Sequence, residues 1–381
     1  MTASVSWDVP GQSRAAAVLQ GACARGEVSH AWAFTGMSGV GQEQAARTLT
    51  AALNCPNAVD GVPDGACPTC DRCARGAYPA YWEFAPGGTV HRVVDVREQW
   101  LPAAFRTASE GSWKVLRIVD ADRMNEPAAN AFLKGLEEPP PRTVWVLDIA
   151  DPDELPDTIL SRCRVVRFTP WGTAELDAEA RRLGLSVAAD RALAVRAAFG
   201  SPSVLRRLAA PGGLDDLRRH RSVPRRLRED GPGHALLAAR AMDDEGKRRA
   251  AALKAEGKAE LDELAEFYGD GLPRGVAKQV EERSARRERE SRLATLQQAL
   301  DGLVGWYRDC LLVGAGGDPV HALHADDPAA LRADADALPA TVCLRAVDLV
   351  LATRTDLELN LAQGLALEAL FLDLAELARA A

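Results

Sequence analysis

Long apolar runs are missing from this chain of 381 residues, and without a stretch of about 18 or more apolar residues no bilayer-spanning helix is expected. The first residues carry neither a basic leader nor an apolar one, so no secretory signal is expected. The chain is read as cytoplasmic, with no membrane partner. An excess of positive charge is missing too. Lys and Arg number 46 against 54 Asp and Glu, a net charge of −8, and the pI is near 5.4. That balance excludes a protein that grips nucleic acid over its whole surface and leaves only local or shared contacts. Cysteine is sparse outside one segment. Of the eight, Cys55, Cys67, Cys70 and Cys73 crowd together, and in a reducing compartment such crowding points to metal before disulfide.

A fourth absence sits in an otherwise familiar pattern. Ala31-Trp32-Ala33-Phe34-Thr35 reads as a buried strand, followed by Gly36-Met37-Ser38-Gly39-Val40-Gly41-Gln42-Glu43 and a helical run from Gln44 to Leu53. This is the strand, glycine turn and helix of a phosphate-binding loop. There, backbone N–H groups cradle phosphates, a Lys after the last Gly reaches the β and γ phosphates, and a Ser/Thr hydroxyl holds Mg²⁺. Gln42 stands at the Lys position and Glu43 at the hydroxyl position. Losing a cation about 4 Å from a phosphate removes on the order of 4 kcal/mol of attraction at an effective dielectric near 20, and a carboxylate adds repulsion of similar size. The frame is present and its charge chemistry is not.

The length suggests two or three domains. Apolar residues from Ser13 to Arg25 recur at helical spacing. Cys67-Pro68-Thr69-Cys70-Asp71-Arg72-Cys73, with Cys55 upstream, supplies the four thiolates of a closed, structural Zn²⁺ site, because four thiolates leave no position for a reacting water. It would pin an insertion over 55–73. Val90 to Val96 and Trp113 to Val119 are expected strands. The second ends in Asp120-Ala121-Asp122, and an acid at the end of an apolar strand is where a Walker B motif orients the metal; Ala121 then replaces the water-polarising Glu. A helix from Asn125 to Glu138 is stopped by Pro139-Pro140-Pro141. Further strands are expected at Thr143 to Ile149 and Val165 to Phe168, and strands alternating with helices predict a parallel sheet covered on both faces.

In order, the glycine loop, the Cys cluster, the acidic strand end, Ala129-Asn130-Ala131-Phe132-Leu133-Lys134-Gly135-Leu136-Glu137-Glu138-Pro139-Pro140 and Ser161-Arg162-Cys163 resemble the AAA+ clamp loader subunits of bacterial DNA polymerase III. The match is good over roughly 5 to 170 and looser beyond, where Leu359-Asn360-Leu361 and Leu365 to Leu370 resemble the family's C-terminal pattern. The resemblance implies an α/β AAA+ domain over 1–170 with its zinc-binding insertion, a small helical lid over 171–212 and an all-α oligomerisation collar over 213–381. The gamma/tau subunits that hydrolyse ATP carry the loop Lys and Ser/Thr, a Glu after the Walker B Asp, a polar sensor after the next strand and a sensor Arg after Gly-Ser in the lid. This chain has Gln42, Glu43, Ala121, Ile149-Ala150, and Ser203 after Gly200-Ser201. Ser161-Arg162-Cys163, which in this family faces the neighbouring subunit, is intact.

The resemblance therefore implies a subunit of the polymerase III holoenzyme with no ATPase of its own. ATP or ADP binding at Gly36, Gly39, Gly41, Gln42, Glu43 and Asp120 is not expected. Arg162 would serve as an arginine finger in trans, and the competing role is an intrachain ion pair with a carboxylate such as Asp157 or Glu154. Implied partners are the gamma/tau and delta subunits, with the sliding clamp and primer-template DNA reached through the assembled complex. An ATP-hydrolysing motor would need Lys at 42 and Glu at 121. A stand-alone zinc-bearing nucleic-acid binder is disfavoured by the acidic charge and the single metal cluster. The basic run from Arg218 to Arg228 reads as a solvated helix face or subunit contact ahead of a grip on DNA phosphate.

Overall fold

The computed structural model describes residues 5–86, 90–107, 111–268, 274–358 and 362–379. The chain divides into two compact units, Met1–Arg182 with Ala198–Leu205, and Leu183–Ala197 with Arg206–Ala381. The Leu359-Asn360-Leu361 part of the C-terminal pattern lies outside the described residues. Among those described, no helix is long and apolar enough to cross a membrane.

The first unit opens with α1 (Ser13–Arg25), closed by Gly26 in the left-handed conformation that only a residue without Cβ adopts at no cost. β1 (Ala31–Thr35), α2 (Gln42–Asn54) and α3 (Pro68–Ala74) follow, then β2 (Tyr81–Phe84). Next come α4 (Val93–Asp95), a π-helical turn at Val96–Trp100 and α5 (Leu101–Phe105). β3 (Lys114–Ile118), α6 (Glu126–Glu137), β4 (Thr143–Ile149), α7 (Asp157–Leu160) and β5 (Arg164–Arg167) complete the sheet, whose five strands run parallel in the order β2-β3-β4-β1-β5. Every residue of β1, β3 and β4 is buried, as a sheet covered on both faces requires.

One expectation fails. Val90 to Val96 is not a strand. Tyr81-Trp82-Glu83-Phe84 takes the edge position beside β3, and Val93 onward is helical. Asp95 accepts the backbone N–H of Arg92 at 2.7 Å to start the turn, and Val96 and Trp100, one helical turn apart, carry the burial. A spacing of four suits a helix and not a strand, so packing overrides the β-branched run.

Alternation along the strands sorts the two faces. Ala31, Ala33, Leu116, Ile118, Trp145, Leu147 and Ile149 point into a core with Trp100 and α6. Trp32, Phe34, Arg117, Val146 and Asp148 occupy the other face, on which α2 packs. In the first core Phe132 lies edge-on to Trp100 at 5.5 Å and to Trp145 at 4.9 Å between ring centroids. α6 is placed by Asn125, whose side chain accepts the Ala128 N–H at 3.0 Å, a helix cap.

Beyond the sheet lie α8 (Thr173–Arg182), α9 (Ala188–Ala197) and α10 (Pro202–Ala209). Of these expected lid helices, α8 belongs to the first unit and α9 to the second. Pro211-Gly212 makes a turn, with Gly212 at φ 81°. The second unit continues through α11 (Gly213–Arg221), α12 (Val223–Asp230), α13 (Pro232–Tyr268), α14 (Arg274–Gly314), α15 (Pro328–Ala337), α16 (Ala340–Glu358) and α17 (Gln363–Arg379). Leu300, Leu303, Trp306, Ala346 and Phe371 centre its apolar core. Asp334 is fully buried there, accepting from Arg225 Nε at 2.9 Å and Trp306 Nε1 at 3.1 Å.

Phe132→Ala should lower the stability of the first unit by about 3 to 5 kcal/mol, the cost of an aromatic-sized cavity in a packed core. Urea unfolding followed by tryptophan fluorescence measures it, and a loss under about 1 kcal/mol would contradict the central position of Phe132.

Candidate functional site

The glycine loop follows β1 directly. Its start is tied to β4 by the Gly36 N–H, which donates to Ile149 O at 2.9 Å. Gly36 has φ +133°, and a Cβ there would come within 2.2 Å of Phe168 O, so glycine is required both by conformation and by space. Gly39 and Gly41 also hold positive φ, at 80° and 134°.

Gln42 does what a Lys at this position could not. It is buried, its Oε1 accepts the Val40 N–H at 3.1 Å, and its Nε2 donates to Met37 O at 2.7 Å. The side chain thus takes a backbone N–H of the cradle for itself, and a neutral amide meets both a donor and an acceptor of the same loop. Glu43 is ion-paired with Arg47 one turn along α2. Against the loop lie four more residues, of which sequence reasoning singled out only Ser203. Buried Gln12 donates to Val40 O at 3.2 Å and to Thr169 O at 2.6 Å. Trp171 Nε1 donates to the same Val40 O at 2.9 Å. A Cβ on Gly41 would strike Val9, and one on Gly39 would strike the Ser203 hydroxyl, both at 2.7 Å. A lone Gln or Trp in a polar stretch carries no periodic signal, so only the fold brings these four to the loop.

Asp120 lies just past β3 in the left-handed conformation, φ 51°, and burial pushes its carboxyl upward. Ala121 beside it is buried. The acid that does structural work here is Asp122, whose Oδ2 accepts the N–H groups of Ala150 and Asp151, each at 2.9 Å, and so holds the turn after β4. On the α2 face of the sheet Arg117 binds Asp148 Oδ2 through Nε at 2.9 Å and Glu83 Oε2 through Nη1 at 2.7 Å. Neither Arg117 nor Asp148 was singled out by the sequence, because each interrupts an otherwise apolar strand.

Arg162 follows α7 on the surface, between exposed Ser161 and half-buried Cys163. Its partner is neither Asp157 nor Glu154. Nη2 meets Glu137 Oε1 at 2.7 Å, and Nη1 donates to Thr158 O at 2.8 Å. Both charged side chains are well exposed, 39% and 51%, so this pair is worth no more than about 1 kcal/mol and opens readily.

The cysteine cluster brings Cys55, Cys67 and Cys70 together with Asp64, their ligand atoms all within 4.8 Å of one another. Cys55 Sγ and Cys67 Sγ are 3.7 Å apart, the edge expected of a tetrahedron with bonds of about 2.3 Å to sulfur. The group can hold a metal ion. Cys73 is buried on α3 and falls outside this group, though the charges of Cys67 and Cys55 reach it. Asp64 stands nearer and braces the loop, its Oδ1 accepting the Ala66 and Cys67 N–H groups at 3.0 Å each. Burial pushes the Cys73 thiol up to about 12 and the Cys70 thiol upward as well, so metal uptake must release protons.

The basic run is engaged within the chain. Arg218 pairs with Asp190, Arg219 with Asp216, Arg221 with Asp326, and Arg225 and Arg228 with Asp334. A helix face tied down in this way is a structural element of the second unit and offers few free cations to phosphate.

A parallel five-stranded sheet with a glycine loop after its inner strand β1, an acidic segment after β3 and Ser-Arg-Cys before β5 is the α/β arrangement expected of an AAA+ domain. Residues 11–172 match the family model of the DNA polymerase III delta subunit. The tau subunit of DNA polymerase III from Escherichia coli is 34% identical over 161 residues, 41% of this chain and 24% of that protein. The delta' subunit from Bacillus subtilis is 34% identical over 160 residues, 42% of this chain and 48% of that protein. A DNA polymerase III gamma-subunit-related protein of known structure from Thermotoga maritima aligns over 95% of this chain and 99% of its own, at 16% identity and a TM-score of 0.45. Over residues 11–172 the chain is therefore similar to clamp loader subunits of DNA polymerase III. It spans about a quarter to a half of the length of these curated relatives.

Protein purified without chelator should carry one divalent metal ion per chain, and Cys67→Ser or Cys70→Ser should remove it while the second unit stays folded. Elemental analysis reads the metal, and an unaltered chain without any would contradict the cluster.

Proposed function

We propose that this chain is a delta-prime type subunit of the replicative clamp loader, one that hydrolyses nothing itself and completes the ATP site of a neighbour. The observation that carries the proposal is the Gln42 amide turned into its own loop, where it takes the Val40 N–H and the Met37 carbonyl. A phosphate would have to displace the amide oxygen to take the Val40 N–H, and it would find no lysine in exchange. Ala121, Ile149-Ala150 and Ser203 support the same conclusion, since none supplies the carboxylate, sensor or arginine of a hydrolysing site. The tau and delta' relatives are equally identical at 34%, so the choice between a motor and a silent subunit rests on this chemistry.

In this role Arg162 is the residue offered to the neighbour. Ser161 and Cys163 are small enough to leave the guanidinium clear of the domain edge, and the planar, always-charged fork matches phosphate oxygens. The weak pair with Glu137 releases it at small cost. The cysteine cluster is a structural zinc site in this proposal, with Cys55, Cys67, Cys70 and Cys73 as ligands and no open position for water. Residues 171–212 act as the lid and 213–381 as the collar that joins the gamma/tau and delta subunits. The sliding clamp and primed DNA are reached through the assembly, in the cytoplasm.

The isolated chain should show no ATP turnover above background; turnover that disappears on Asp120→Ala would sink the proposal. In a loader reconstituted with its partner subunits, Arg162→Ala should leave the assembly intact and lower ATP turnover and clamp loading. An arginine finger contributes about 10³ to 10⁵ at its own site, and the other sites of the ring keep theirs, so the loss should be partial. Unchanged turnover and loading in an intact mutant assembly would show Arg162 to be a paired surface charge only.

A further inference from the structure

We propose that Arg117 is a resident cation that closes the metal position of the degenerate nucleotide site, so that repairing the loop alone would not restore binding of a magnesium nucleotide. The inference rests on the proposal that Gln42 and Glu43 occupy the lysine and hydroxyl positions of that site.

The register of the sheet places the parts. β1 pairs with β4 so that Phe34 is opposite Asp148 and Thr35 opposite Ile149. The Gly36 N–H then donates to Ile149 O at 2.9 Å. Asp148 therefore ends up one residue from the start of the loop, on the face that α2 covers. It is a buried carboxylate at the loop end of a central strand, where a divalent cation held between loop and sheet would find its hard oxygen ligand.

Arg117 has taken that ligand. On β3 it lies two strand positions from the level of Asp148, on the same face. Two of its nitrogens, Nε and Nη2, bind the single oxygen Asp148 Oδ2, while Nη1 binds Glu83 from the edge strand β2. Asp148 Oδ1 is buried and has no hydrogen-bond partner among the described residues. The charges of Glu43 and Asp120 also act on this pair. One fixed guanidinium thus neutralises the acids that would otherwise draw in Mg²⁺, and its own charge cannot be lost by deprotonation. A metal ion entering here would meet a positive charge held by a salt bridge on each side.

The test compares three forms of the full chain: unaltered, Gln42→Lys/Glu43→Thr, and the same loop repair combined with Arg117→Leu/Glu83→Gln. Arg117 and its second acid partner are removed together, so that the net charge is kept and Asp148 remains as the oxygen ligand. Binding of a fluorescent ADP analogue is measured by anisotropy with and without Mg²⁺, and far-UV circular dichroism checks the fold. The loop-repaired chain should bind at least tenfold more weakly than the fourfold variant, and Mg²⁺ should strengthen binding only in the latter. Equal affinity and equal Mg²⁺ response in the two repaired forms would overturn the inference, as would binding by neither. If the fourfold variant loses its fold, Arg117→Gln/Glu83→Gln replaces the two charges with neutral groups that can still hydrogen-bond and is judged by the same criteria. Nucleotide binding by the unaltered chain is a separate result, which would refute the silent-subunit proposal itself.

Discussion

The Gln42 amide, folded back into its own glycine loop, sets the character of the first unit. A phosphate-binding loop works because its N–H groups are held open toward an anion. Here one of them is already satisfied by a neutral side chain anchored two residues further along the same loop and helix. Gln12 and Trp171 both donate to the Val40 carbonyl, and Val9 and Ser203 close on Gly41 and Gly39. The loop is packed and hydrogen-bonded by the chain's own segments. Its glycines still matter, since Gly36 admits the Phe168 carbonyl where no Cβ could stand, but they now let segments of the chain approach one another.

The same economy governs charge elsewhere. Arginines that look free in the sequence are tied to acids far along the chain, as with Arg225 and Asp334 or Arg221 and Asp326. Arg117 is the extreme case, a cation inside a sheet that holds Asp148 and Glu83 at once. Arg162 is paired differently. Its pair is exposed on both sides and links the end of α6 to the end of α7, so it orients a side chain while leaving it available. Deeply buried pairs hold structure, and a half-exposed one can be exchanged for a better anion.

The cysteine cluster shows how local sequence and tertiary placement divide the work. Three cysteines two residues apart announce a metal on their own. Which donors converge is a matter of helix geometry: α3 carries Cys70 toward Cys67 and Cys55 and sets Cys73 a full turn further on, while the loop before it delivers Asp64. The spacing does not encode that carboxylate.

What the sequence determined by itself were the features written in contiguous patterns. The buried strands β1, β3 and β4, the parallel α/β class, the glycine loop with its missing lysine, the cysteine crowd and the Ser-Arg-Cys motif all depend on neighbours in the chain, and all are found where those patterns put them. Tertiary structure decided the rest. Val93 to Trp100 became helical because Val96 and Trp100 had a core to fill, and Tyr81 to Phe84 became the edge strand because β3 had an open side. Glu137 met Arg162, Asp148 met Arg117, and Gln12 met Val40 across 25, 31 and 28 residues of sequence. Such pairings leave no periodic trace, because a single polar side chain gains its partner only when the sheet register and the helix faces bring the two together.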